Sequence, residues 1–326
     1  MPTTPILGRR QAEVSHIDLM RARIMAQVCR IYISAPADSN LSQEQLKLKK
    51  SVIKAIEKEG FEPQEFFASG IPTAMGMPWS FEGAEQVMSR CQGAAVLAFA
   101  RWLAESAKGP AGDYSYLPSE YNHFEGALAF TRRLPRLVVT DKGVRTSGIT
   151  LLAEGPVIFW PEGYGAEGIE QEWFRRHFDP WAAKVRSRPH VFLGYCSSAR
   201  STATELIMFM ERDLGLQVVD YAMDFMAGPA IYEQIDDAAR LCRSGIFLFT
   251  KDDPLEGVDG AAPRDNVVLE TGVFLHANGR ERVAIIREEG AKMPADLGGN
   301  VYILLKNRND ITSIHSQIRR FLNNAL

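Results

Sequence analysis

What the chain lacks narrows its class first. No apolar run within its 326 residues reaches the length of a membrane span, so no spanning helix is expected. The opening stretch, MPTTPILGRRQAEVSH, has none of the apolar core of a secretory signal, and a cytoplasmic protein is expected. Cysteine is scarce. Cys29, Cys91, Cys196 and Cys242 form no CxxC pair and sit at no metal-finger spacing, which points to buried, reduced thiols. The six histidines make no HExxH or similar pattern, so no metal site is expected. An excess of positive charge is missing too. The formal net charge is −3 and the pI is about 6.1, which argues against a general nucleic-acid binder because phosphate contacts need a basic surface.

What is present is a chain that repeats itself. RIYIS (30–34) and HVFLG (190–194) are short apolar strands, each followed by a polar loop and a helix, QEQLKLKKSVIKAIEKEG (43–60) or STATELIMFMERDLG (201–215). Both helices stop at a glycine, Gly60 or Gly215. FEPQEFF and LQVVDYA follow as extended segments, then the helices SFEGAEQVMSRC and AIYEQIDDAARLC, then the strands AAVLAF and GIFLFT. After a variable loop, SEYNHFEGALAF matches PRDNVVLETGVFL and PRLVVTDKG matches ERVAIIREEG. VIFWP then matches VYILL, and WFRRHF matches QIRRFL. The separations between Gly60 and Gly215, Cys91 and Cys242, Glu125 and Glu270, and Gly143 and Gly290 drift by loop-sized amounts and keep their order.

The pattern predicts two α/β units, each a flavodoxin- or Rossmann-like, mostly parallel sheet flanked by helices. The units are read as 29–186 and 189–326, joined at KVRSRP (184–189), with an amphipathic helical extension in 1–28. In such sheets ligands bind beyond the C-terminal strand ends. The loops after HVFLG, LQVVDYA and GIFLFT open on that edge, and Glu270, a lone acid in the apolar frame of PRDNVVLETGVFL, is expected beside it.

VFLGYCSS, DFMAGPAIYEQI, GIFLFTKDD, PRDNVVLETGVFL and RVAIIREEGAKMPADLGG, taken in order, resemble the bacterial TIR-like family of predicted nucleotide-binding domains. The resemblance covers nearly all of 190–310. It implies a cytoplasmic antiphage-defence effector that cleaves NAD+ at the nicotinamide–ribose bond, with Glu270 as the essential glutamate. It implies substrate loops around Tyr195, Cys196, Ser197 and Ser198 and around Asp224, Gly228 and Ile231. It also implies activation by assembly into a homo-oligomer or by a nucleotide, a cyclic nucleotide among them. NAD+ would be the substrate, with no cofactor required. The chemistry is consistent with one acid: nicotinamide is already a cationic leaving group, and a single carboxylate can stabilise the oxocarbenium character at the ribose.

The other site residues carry two readings each. Pro229 opens GPAI either as a phosphate-facing helix start or as a plain one. Asp252 and Asp253 either fix a ribose or cap a turn. Arg264 either meets a phosphate or sits at the surface, with Asn266 beside it as a further substrate contact. Cys196 either lines the site or is a structural thiol.

The first unit resembles, more loosely, TIR-like and nucleoside-deoxyribosyltransferase-like domains, with Glu125 at the comparable position. Trp79, Arg101, Trp102, Tyr121 and Glu125, with Tyr114 and Tyr116, are candidates for a regulatory nucleotide pocket or for packing between loops. His123 and Glu125 are two apart on a helix and do not face each other. Two other classes stay open: a non-catalytic nucleotide-binding or scaffold protein, and a nucleoside N-ribosyl transferase using Glu125.

Overall fold

The computed structural model describes residues 28–66, 79–151, 156–220, 231–255 and 260–326. The helix expected within 1–28 lies outside them. In the N-terminal half the order is β1 (Arg30–Ser34), α1 (Gln43–Lys58), β2 (Glu62–Glu65), α2 (Phe81–Met88) and β3 (Gly93–Ala98). There follow β4 (Trp102–Glu105), β5 (Tyr114–Leu117), α3 (Glu120–Thr131), β6 (Arg136–Asp141), β7 (Val157–Trp160) and α4 (Glu172–Arg186). The C-terminal half runs β8 (Val191–Gly194), α5 (Arg200–Met208), β9 (Val218–Asp220), α6 (Ile231–Leu241) and β10 (Ser244–Phe249). It continues with β11 (Asp253–Pro254), β12 (Ala261–Ala262), α7 (Asp265–Asn278), β13 (Val283–Glu288), β14 (Val301–Leu305) and α8 (His315–Ala325).

These strands form two five-stranded sheets, β2-β1-β3-β6-β7 and β9-β8-β10-β13-β14, parallel throughout. Both have the doubly wound order in which the chain reverses direction beside the first strand, so the expected tandem α/β architecture is the one observed. The registers coincide as well. Tyr32 lies opposite Ala94 in the first sheet, and Phe192 lies opposite Gly245 in the second. Every residue of the central strands β3 and β10 is buried, as parallel strands covered on both faces require. The edge strand β2, EPQE, is only partly covered, and it carries Pro63 where no ladder hydrogen bond is lost on the open side.

The helices are set by their ends. Ser42 and Gln45 form a reciprocal capping box on α1, while Ser80 and Ser119 accept from the backbone N–H groups of Gly83 and Asn122 to open α2 and α3. Gly60 and Gly215 end matching segments with φ of +79° and +69°, a conformation that strains any residue with a Cβ. The helix expected over 201–215 is less regular than its counterpart: α5 ends at Met208 and Phe209–Asp213 continue as a wider, π-type turn. The loops after β3 and β10 are also more ordered than expected. Each contains an antiparallel ribbon, β4 with β5 and β11 with β12.

Each sheet buries apolar side chains on both faces. In the first, Trp181 of α4 packs edge to face on Phe61 and tilted against Phe178, and its indole N–H donates to the Pro135 carbonyl at 3.1 Å. Trp181 is 1% exposed. Trp181→Ala is expected to lower stability by about 3–5 kcal/mol, because the cavity left by an indole cannot collapse between a sheet and a helix. Chemical denaturation followed by circular dichroism would read this as a lower midpoint.

Candidate functional site

Helix α7 buries the stripe Val267, Glu270, Thr271 and Phe274, spaced so that all four face the sheet. Glu270 is thus an acid on a core-facing stripe, 5% exposed. It stands at the C-terminal end of β8, where a Cβ on Gly194 would come within 2.7 Å of Glu270 Oε2. The glycine is what lets the carboxylate approach the strand. Phe192, Phe247, Phe274 and Val267 supply the apolar surroundings. Oε2 is buried with no hydrogen-bond partner among the described residues. Burial alone pushes the Glu270 carboxyl up to about 7.

The first unit holds its equivalent acid differently. Glu125, on α3, accepts from the Tyr32 hydroxyl at 2.7 Å and the Trp79 indole N–H at 2.9 Å, and it is also hydrogen-bonded to Ser34. Burial still raises its carboxyl above the ordinary range, against the pull of those three bonds. Because the registers coincide, Tyr32 and Ser34 occupy the places of Phe192 and Gly194. Two substitutions between the repeats therefore remove two of the three donors, and among the described residues Glu270 Oε2 has no partner.

Around Glu270 the first and third loops of the sheet are tied together. Asp252 accepts from the Ser198 hydroxyl, the Thr250 hydroxyl and the Arg264 backbone N–H, at 2.5, 2.9 and 3.1 Å. Arg264 pairs with Asp253 at 3.1 Å and is hydrogen-bonded to Cys196. Burial pushes the Cys196 thiol up, but hydrogen bonds from Ser198 and Arg264 outweigh it and leave the thiol below its ordinary value. The Tyr195 hydroxyl donates to Asp220 at 2.8 Å, and burial together with that carboxylate raises it to about 12. Ser197 and Asn266 are exposed, and Ile231 opens α6 with about half its surface exposed. Asp224 and Gly228, with the rest of GPAI up to Ala230, lie outside the described residues. Gly194, Thr250 and Asp220 were not singled out from sequence. The Ser34–Gly194 difference is visible once RIYIS is set against HVFLG.

In the first unit Trp79, Tyr121 and Glu125 come together, the Trp79 and Tyr121 rings 5.0 Å apart. Arg101 and Trp102 instead pair with each other as a cation–π contact at 4.9 Å beside β4. His123 accepts from the Ile149 backbone N–H and does not pair with Glu125. All four cysteines are buried, and none is in a disulfide. Among the described residues no cluster of metal-ligating side chains occurs, and no helix is long and apolar enough to cross a membrane. A cavity of about 860 Å³ exists between α3 and α4, lined by Phe130, Arg176 and Trp181, and Glu270 is not part of it.

A doubly wound parallel sheet with a buried acid on the helix after its third strand defines the second unit as a TIR-like α/β domain. Residues 190–307 match the family model described as "CAP12/Pycsar effector protein, TIR domain". A CD-NTase-associated protein 12 from Sphingobacterium faecium is 30% identical over 114 residues, which cover 34% of this chain and 35% of that one. The Pycsar effector protein BcPycTIR of Burkholderia cepacia is 47% identical over 45 residues, 13% of this chain and 15% of that one. The chain thus spans about a third or less of the length of these relatives. Among solved structures, the TIR domain of a Toll-related receptor from Hydra magnipapillata aligns with 42% of this chain and 99% of its own, at 14% identity and a TM-score of 0.33.

The raised Glu270 carboxyl predicts a pH-dependent stability. Its folded value, about 7, lies above the ordinary 4.5, so the contribution of the neutral buried group is complete below about 4.5 and is lost as pH rises through 7. Glu270→Gln, which cannot ionise, is expected to match the wild type in stability at pH 4.5. At pH 8 it should exceed it by on the order of 2–3 kcal/mol. Urea denaturation at the two pH values measures the difference.

Proposed function

We propose that the chain is a NAD+ glycohydrolase whose second unit cleaves the nicotinamide–ribose bond, with Glu270 as the catalytic carboxylate. The observation that carries this reading is the buried Glu270 carboxylate, its Oε2 without a partner among the described residues, at the C-terminal edge of a sheet that matches a TIR-domain family model. A desolvated carboxylate costs energy until a positive charge arrives beside it. The nicotinamide ribose of NAD+ brings a cationic ring, and cleavage moves positive charge onto the ribose. Glu270 then ionises against that charge and stabilises it in a setting of low dielectric. Gly194, having no side chain, lets the carboxylate sit against the strand end, on the edge where the sugar would bind. Water attacks the anomeric carbon, nicotinamide leaves with the bonding pair and becomes neutral, and a proton is released. No cofactor is needed for this balance.

Ser197, Ser198 and Asn266 stand on the exposed side of the same edge and are assigned to substrate contact. So are Tyr195, Cys196, Ile231, Asp252 and Arg264, together with Asp224 and Gly228. The first unit is assigned to regulation, with Trp79, Tyr121 and Glu125 as its pocket and Arg101 and Trp102 at its rim. Relatives named as CD-NTase-associated and Pycsar effector proteins support a nucleotide-triggered enzyme of antiphage defence, acting in the cytoplasm as a homo-oligomer.

Nicotinamide release from NAD+ by the purified chain, with and without cyclic nucleotides, is the test. Glu270→Gln is expected to reduce release by about a hundredfold or more, the scale for loss of an electrostatic stabiliser, while Glu125→Gln retains NAD+ cleavage. Equal release by wild type and Glu270→Gln would overturn the assignment. Binding of NAD+ without release under every condition would favour the scaffold reading.

The pH profile gives a second check. Activity relative to free enzyme should rise through an apparent value near 7 as Glu270 ionises. Phe192→Tyr, which restores the donor the first unit has at Tyr32, is expected to shift that rise to lower pH, because a hydroxyl bond favours the charged form.

A further inference from the structure

Between the two units lies a cavity of about 290 Å³ whose walls are rich in arginine. Arg132 comes from the end of α3, Arg188 from the crossing into β8, Arg240 from α6, and Arg243 and Arg282 from the starts of β10 and β13. Three of these cations have partners of their own: Arg132 pairs with Glu85 at 3.0 Å, Arg240 pairs with Asp236 at 2.8 Å, and Arg243 donates to the Leu326 backbone oxygen. Among the described residues, Arg188 and Arg282 have no carboxylate within 4.0 Å. Their contacts are neutral carbonyls. Arg188 donates to Arg133 and Arg240 at 2.9 and 2.7 Å, and Arg282 donates to Ser89. Arg188 is only 9% exposed, and its Nε is buried without a hydrogen-bond partner.

A buried guanidinium without a counter-charge is costly, and several that share one cavity also repel each other. Burial pushes Arg188, Arg243 and Arg282 each down to about 10, and neighbouring arginines add to the effect at Arg243 and Arg282. A doubly charged oxyanion relieves both costs, and guanidinium groups match its geometry through paired N–H donors. The volume is near the low end for small-molecule pockets, about 300 Å³, which fits a pyrophosphate or one mononucleotide and not a dinucleotide.

We propose that this junction cavity is a binding site for a phosphate-type oxyanion, free or carried by a mononucleotide, held by Arg188, Arg282 and their arginine neighbours. Its occupancy bears on both units at once. Helix α7 lines the cavity with its last turn, His276 to Asn278, and carries Glu270 in its second. The site stands apart from the NAD+ cleavage reading, and its test uses binding alone.

Calorimetric titration of the full chain with pyrophosphate, AMP and adenosine, at constant ionic strength in chloride, tests it. Pyrophosphate and AMP should bind and adenosine should not. Tighter binding of AMP assigns a nucleotide as the source of the anion, and tighter binding of pyrophosphate assigns the free anion. Arg282→Gln is expected to weaken binding at least tenfold while the ligand-free melting temperature holds or rises, because a repelled cation has been removed. Arg282→Lys, which keeps the charge and gives a second reading should the glutamine variant not fold, is expected to stay within a few fold of wild type. The proposal is overturned by no binding to the wild-type chain, by adenosine binding as well as AMP, or by unchanged affinity in Arg282→Gln.

Discussion

The constraint on which the rest of the molecule turns is the burial of one carboxylate oxygen that has no hydrogen-bond partner among the described residues. Glu270 sits in an apolar setting against the end of a strand, and desolvation holds its proton to about pH 7. Keeping it there requires the helix α7 to present an acid on the face where a core residue belongs. It also requires Gly194 to have no side chain, and the loops on that edge to be braced by other groups. Asp252, Ser198, Thr250 and Arg264 do the bracing and leave Glu270 out of their network. A group held in this way is costly to the fold and suited to meet a positive charge, which is a common property of functional sites.

The first unit shows what the same frame looks like when the cost is removed. With an identical strand order and register, Tyr32, Ser34 and Trp79 satisfy Glu125 by hydrogen bonds. The aromatic rings around Trp79 then close over it. One repeat retains an available carboxylate and the other a bonded one. Two of the three donors that make the difference are a hydroxyl and a hydroxymethyl group that one strand has and the other lacks. Between the repeats the junction gathers arginines from both units, and among the described residues Arg188 and Arg282 have no carboxylate within 4.0 Å.

Much of the architecture was legible from sequence because the hydrophobic effect writes it locally. The apolar runs RIYIS, AAVLAF, HVFLG and GIFLFT name strands buried on both faces, and Gly60 and Gly215 end helices where a positive φ is needed. The order of those elements, together with their duplication, is enough to specify two doubly wound sheets. The acid in PRDNVVLETGVFL was legible for the same reason, since a charged residue inside an apolar pattern violates it. The ribbons β4–β5 and β11–β12 were not legible. Their pairing joins polar segments across loops, and short polar strands leave no periodic signal.

Sequence by itself therefore determined the fold class, the repeat and the identity of the exceptional glutamate, because each is encoded by residues close together in the chain. Only the tertiary structure decided which glutamate is hydrogen-bonded among the described residues and which is not. That depends on Tyr32 or Phe192 and on Ser34 or Gly194, which stand far from their glutamates in sequence and meet them only across a helix–sheet contact. The arginine cavity is a product of tertiary structure for the same reason. Its charges come from separate elements of both units, and no local pattern registers that they converge, because electrostatic repulsion acts through space and not along the chain.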